Sequence, residues 1–293
     1  MQRRAATLLV GLTAVLSVVA ASCTNPSPPG GFNLRFEATE IRNVSFVGDW
    51  PTTFWDPDAD EEPYLVHLGL RIALTPAVSV TTFVSSTYLN GGAFIGKIGA
   101  GGTLPTAPGD GVDFLGVQLP DLFDLANGAP FELLGSVEFL FERDQLIPLG
   151  IAQVLQAATG LINAALPPII ANGGLPSDLP GIVTFLGDLL PGVFATIVSV
   201  VGAVIGGIAG SDQLIGLSPK IFIGVGGGLA SFIGGALPTL ISLVNFALSQ
   251  QNPNPFPNGL PITLGVVGAG ATTRYGTAPD TSVYDVDYRW VSI

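Results

Sequence analysis

One cysteine, one histidine and two lysines are all that the 293 residues contain of those types. The single cysteine, Cys23, excludes an intramolecular disulfide and any cysteine metal cluster. The single histidine, His67, removes histidine-cluster metal sites and most histidine-dependent triads. No G-x-S-x-G elbow is present to supply a nucleophile beside it. Charge is scarce as well, at 11% of residues against about 25% in ordinary soluble chains. What charge there is leans acidic, for a net of −12. Such a surface repels nucleic acid, whose binding needs neutralised phosphates. It also offers no electrostatic attraction to anionic lipid.

What the chain has instead is a long apolar run from about Gln145 to Leu260. Four charges interrupt it: Asp178, Asp188, Asp212 and Lys220. The segments on either side read as β-structure with acidic loops.

The amino terminus has the three parts of an export signal. Arg3-Arg4 supplies the positive region, Ala5 to Ala20 is short and apolar, and Ala20-Ala21-Ser22 leads with small residues into Cys23. This resembles a bacterial lipoprotein signal, in which small residues directly precede a cysteine that is lipidated and becomes the mature terminus. The resemblance implies a signal peptide over 1–22, lipidation at Cys23, membrane lipid as a partner through that anchor, and residence on the extracytoplasmic side of the cell envelope. Loss of Arg3 and Arg4 leaves 8 basic and 22 acidic residues, a net charge of −14. Residues 23–31, ending TNPSPPGG, are too polar and too rich in proline and glycine to fold, and read as a tether.

Strand character follows over Phe32–Phe46, Tyr64–Leu74, Val78–Tyr88, Phe131–Phe141, Ile262–Tyr275 and Ser282–Ile293. In the second of these Tyr64, Val66, Leu68, Leu70 and Ile72 share one face, and His67 and Arg71 share the other. Gly99 to Gly111 reads as a long loop. Inside the apolar run, helices are expected over Leu146–Leu166, Ile182–Leu190, Gly192–Ala209 and Ile221–Gln250. Pro167-Pro168 should end the first, Pro191 should start the third, and Pro238 should kink the last. Gly202, Gly206 and Gly210 recur every four residues, and Gly224 and Gly228 repeat the spacing. This candidate helix-packing face resembles a glycine zipper of membrane-associated lipoproteins. The resemblance implies close helix contact or self-association.

Two carboxylate groupings carry candidate chemistry. Asp56, Asp58, Asp60 and Glu62 could offer oxygens to calcium, with Asp285 and Asp287 or Glu142 and Asp144 completing a site. Glu138 and Glu142 are a candidate glycosidase pair, but four residues along one strand separate them by about 13 Å, too far for either geometry. No catalytic residue is assigned.

The expectation is an α+β chain. A β-sandwich-like domain spans 32–147 and 260–293, and a large apolar helical insertion spans 148–259. The expected function is that of a non-enzymatic, lipid-anchored envelope protein. Its helical layer contacts lipid, an apolar ligand or another subunit. An extracytoplasmic hydrolase with an unlocated site, or a membrane-inserting, pore-forming protein, stands as the alternative.

Overall fold

The computed structural model describes residues 32–45, 62–73, 78–85, 96–117, 132–143, 148–171, 179–206, 213–223, 263–264, 270–276 and 282–293. Among the described residues the fold is sheet-rich, with two mostly antiparallel five-stranded sheets and two helices. In chain order the strands are β1 (Phe32–Ser45), β2 (Pro63–Ala73), β3 (Ser79–Ser85), β4 (Thr103–Pro105), β5 (Gly111–Val117) and β6 (Glu132–Glu142). Two helices follow, α1 (Pro148–Ala171) and α2 (Leu179–Gly206). The chain then returns to sheet as β7 (Gln213–Ile223), β8 (Thr263–Leu264), β9 (Gly270–Tyr275) and β10 (Val283–Ser292).

The first sheet runs β4-β1-β10-β9, with β5 also paired to β1; the second runs β3-β2-β6-β7-β8. Alternation along each strand decides which face is buried. On the first sheet Leu34, Phe36 and Ala38 point inward, as do Tyr284, Val286, Tyr288 and Trp290 on β10. A register shift between Ala38 and Glu40 then turns Ile41 inward. The ring of Phe36 stacks on Tyr288 with centroids 5.1 Å apart, and Trp290 reaches Phe222 of the second sheet at 4.9 Å. Each fully buried side chain of this size contributes about 1.5–3 kcal/mol.

Strand β2 is buried on both faces. Leu65 and His67 face the first sheet, while Tyr64, Val66, Leu68, Leu70 and Ile72 enter a second core with the helices. The order of layers is therefore sheet, sheet, helices. Helix α1 lies against β2 and β3 and packs on α2. Its inner residues Ile151, Leu155, Ala158, Ile162, Leu166 and Ile170 recur at three- and four-residue spacing. Asn163 on α1 accepts hydrogen bonds from the Thr82 N–H at 2.9 Å and from its hydroxyl at 3.0 Å, fixing the helix to β3.

Several boundaries differ from the sequence expectation. Helix α1 continues through Pro167 and Pro168, and α2 runs through Pro191 as one helix instead of two. Packing overrides propensity here. Leu166 and Ile170, either side of the first proline pair, are buried, as are Leu190, Val193 and Phe194 around Pro191. Strand β7 lies inside the stretch expected to be helical. Ser218 and Lys220 face one core while Ile221 enters the other. A strand buried on both faces and a buried helix are equally apolar in composition, so composition alone could not separate them. The strand expected over 262–275 divides between sheets, β8 in the second and β9 in the first. The expected loop over 99–111 contains β4, and β5 follows it unanticipated. Gly111 opens β5 because a Cβ there would meet the Phe36 carbonyl oxygen at 2.0 Å.

Truncating Leu155 to alanine leaves a cavity between α1 and the second sheet. Urea denaturation should show a loss of about 2–5 kcal/mol. An unchanged midpoint would mean that the helical layer is not part of the cooperative fold.

Candidate functional site

The chemistry-bearing residues converge between the two sheets. Strand alternation puts His67 of β2 on the face turned toward the first sheet, and antiparallel register places Glu138 of β6 directly beside it. On β7, Ser218 lies opposite Glu138 and Lys220 opposite Ser136. The first sheet supplies Thr273 and Tyr275 from β9 and Tyr288 from β10. Asp110 arrives just before β5, its backbone held by an Ala38 N–H bond of 2.9 Å to the Asp110 carbonyl oxygen.

Both imidazole nitrogens of His67 meet carboxylates: Nδ1 faces Glu138 in a short contact, and Nε2 lies 3.1 Å from Asp110. The Ser136 hydroxyl donates to the other oxygen of Glu138. Lys220 Nζ donates to Ser218 Oγ at 2.6 Å and to the Thr273 hydroxyl, and lies 4.9 Å from the centroid of the Tyr288 ring. The hydroxyls of Tyr275 and Tyr288 are 2.6 Å apart. The result is a polar belt across an otherwise apolar core, with two cationic and two anionic side chains.

Burial and pairing act against each other on these groups. Burial alone would discharge His67, but Glu138 and Asp110 overcome it and raise its pKa to about 10. The imidazolium then donates to both carboxylates at neutral pH. Burial lowers the Lys220 pKa to about 8, and Glu138 only partly offsets it. Burial raises Tyr275 and Tyr288 well above the usual phenol range, so both stay neutral.

Taken pairwise, the belt contains arrangements used in catalysis. A serine beside a lysine of lowered pKa is one, and a histidine oriented by an acid is another. Access rules both out for an external substrate. His67, Glu138 and Lys220 are each 0% exposed, and Ser218 is 1% exposed. His67 also has no nitrogen left for a nucleophile, since a carboxylate occupies each. The belt acts as a clamp between sheets. Removing one partner of a buried pair costs about 3–5 kcal/mol, because the remaining charge is stranded.

The candidate residues from sequence fall elsewhere. Cys23, Asp56, Asp58 and Asp60 lie outside the described residues. Glu62 is described, and its carboxylate faces Lys97 at 3.6 Å and Arg143 at 3.4 Å. Asp285 is held by Arg274 at 2.8 Å, and Asp287 accepts from Thr272 at 2.5 Å, both in cross-strand pairs of the first sheet. Among the described residues, no group of three or more histidine, cysteine or acidic side chains is placed to hold a metal ion. Gly202 and Gly206 belong to α2, while Gly210, Gly224 and Gly228 lie outside the described residues. Glu138, weighed above as half of a distant carboxylate pair, instead sits beside His67. The signal available was that both occupy the polar face of their strands; the register that joins them was not readable. Asp110 sits in a loop with no periodicity to mark it. Lys220 carried one signal, a lone charge in an apolar run.

The belt predicts a distinct pH dependence. The folded pKa of His67 lies above its usual 6.5, so its stabilisation is complete below about pH 6.5 and is lost as pH rises toward 10. Lys220 acts in the opposite sense: the cost of burying its ammonium is complete below about pH 8 and is relieved between 8 and 10.5. Between pH 6.5 and 8 only the histidine contribution changes. Urea denaturation should therefore show stability falling by about 1–2 kcal/mol across that window, and His67→Gln should abolish the slope. Equal stability at both pH values in the unsubstituted protein would contradict a charged His67. Comparison with protein-family models, curated proteins and solved structures finds no match to this chain, so the geometry itself carries the functional reading.

Proposed function

We propose that this is an exported, lipid-anchored envelope protein of non-enzymatic binding or structural type. The signal-like residues 1–22, Cys23 and the tether to Gly31 support the anchor. The α1–α2 layer, read as an apolar helical insertion between β6 and β7 of a β-sandwich-like domain, is its contact surface for lipid, an apolar ligand or another subunit.

One observation carries this reading: the outer face of the first sheet carries charged pairs, while the outward side of the helical layer is uncharged along all of α1. Residues 148–171 contain no Asp, Glu, Lys or Arg. The outward positions include Gln153, Gln156, Ala157, Gly160 and Ala164, with Leu161 58% and Ile169 39% exposed. Described residues of α2 add a single charge, Asp188. Exposed apolar side chains about two turns apart on an uncharged helix favour an apolar contact over a charged ligand. Surface contact fits better than insertion, because no helix among the described residues is long and apolar enough to cross a membrane.

Two expected outcomes test the reading. Cys23→Ala should make the protein extractable from the membrane pellet by a buffer wash without detergent; a pellet fraction that still requires detergent would contradict a lipid anchor. The soluble Cys23→Ala protein should still associate with zwitterionic phosphatidylcholine vesicles or with itself in sedimentation experiments. Adding Leu161→Lys and Ile169→Lys should weaken that association about tenfold, as loss of two half-buried apolar contacts implies. A Cys23→Ala protein that is monomeric and indifferent to vesicles would contradict the helical contact surface.

A further inference from the structure

At one end of the sandwich the sheets part, leaving a cleft of about 500 Å³ between β3 of the second sheet and β5 of the first. We propose that this cleft is a binding site for a neutral oligosaccharide. It lies on the other side of the second sheet from α1 and depends on neither the lipid anchor nor the helical layer.

The charges that line the cleft are fixed and mutually satisfied. Arg71 donates through Nη1 to the Leu115 carbonyl at 2.8 Å and through Nη2 to both oxygens of Glu132 at 2.7 and 2.8 Å. A further bond from Nη2 to the Gly116 carbonyl, 3.2 Å long, completes the set and fixes the guanidinium plane. Across the cleft, Asp113 is held in a two-pronged pair by Arg35, at 2.5 and 2.7 Å. Each carboxylate offers about four lone-pair directions, so acceptor capacity remains on both after these bonds form. An anionic ligand would have to break an existing pair to gain an arginine partner of its own. A sugar hydroxyl can donate into the remaining lone pairs while the pairs stay intact. The exposed Thr81 on β3 adds a hydroxyl that both donates and accepts.

The apolar part of the lining complements this. Phe83 lines the cleft and meets Phe114 edge-on, with centroids 5.8 Å apart. Its position depends on Gly69 in the neighbouring strand: a Cβ there would come within 2.6 Å of Phe83 Cζ and of Val112 Cγ1. The missing side chain lets the ring lie across β2. Leu115, 61% exposed, stands at the rim. Apolar carbon beside pre-oriented acceptors matches the C–H faces and hydroxyl edges of a pyranose. The volume falls within the roughly 300–1,000 Å³ of small-ligand sites and suits a short oligosaccharide.

The test is calorimetric titration of the full chain in detergent with maltotriose, cellotriose, triacetylchitotriose and an acidic control, trigalacturonate. The expected result is binding of at least one neutral trisaccharide, with Kd of about 1 mM or tighter. Thr81→Val should weaken it about fivefold, the equivalent of one hydrogen bond, and Leu115→Ser should weaken it comparably. Gln156→Ala, on the outward side of α1, should leave it unchanged. Both cleft residues are exposed, and their melting temperatures should match the parent; Asp113→Asn replaces either one that does not. The proposal is overturned if no neutral trisaccharide binds at about 10 mM, if binding ignores every cleft substitution, or if trigalacturonate is preferred. None of those outcomes bears on the vesicle and self-association measurements, which concern a different surface.

Discussion

A protonated imidazole held between two carboxylates, with all three side chains out of reach of water, is the constraint on which the two sheets depend. His67 and Glu138 come from adjacent strands of the second sheet, while Asp110 is attached to the first through β1. The contact is therefore satisfied only when both sheets adopt one relative placement. A purely apolar interface would tolerate a small slide, since dispersion contacts are interchangeable. Sliding the belt would strand a charge at a cost of several kcal/mol. Lys220, hydrogen-bonded to Thr273 of the opposite sheet, imposes the same condition one strand away. The aromatic packing of Phe36, Tyr288, Trp290 and Phe222 supplies the bulk of the attraction, and the belt selects the register in which it is made.

That register organises the rest of the molecule. With one face of β2 committed to the belt, its other face carries Tyr64, Val66, Leu68, Leu70 and Ile72 into the core with α1 and α2. The two outer surfaces then differ in kind. The first sheet presents cross-strand pairs, Glu37 with Arg289 and Asp285 with Arg274. Each such pair adds little stability in water, but together they make that face polar. The outward side of α1 carries no charge at all. A polar face and an uncharged one on opposite sides suit a domain that meets water on one side and an apolar surface on the other.

Much of the strand content was legible because it rests on alternation. The ends of β1, β2 and β10 lie within one residue of their expected positions. The inward set of Leu34, Phe36 and Ala38 was readable for the same reason. Prolines misled, since Pro167, Pro168 and Pro191 look like helix boundaries until the burial of Leu166, Ile170 and Val193 is known. Strand β7 was hidden because it sits in a long apolar run, where a buried strand and a buried helix have the same composition. The belt was half visible: His67 and Glu138 each occupy the polar face of a strand, but their pairing requires the order of strands, which no local pattern encodes. Nothing near Asp110 marks it as a partner for a histidine 43 residues away.

The most direct measurement of the central claim is the protonation state of His67, read from the ¹⁵N chemical shifts of its imidazole ring. With a single histidine in the chain the assignment is unambiguous. A clamp of the kind described keeps both nitrogens protonated from about pH 6 to about pH 9, with no titration near the usual histidine value. A ring that loses its proton near pH 6.5, or that is already neutral at pH 7, would show that the sheets are not joined by a buried ion pair.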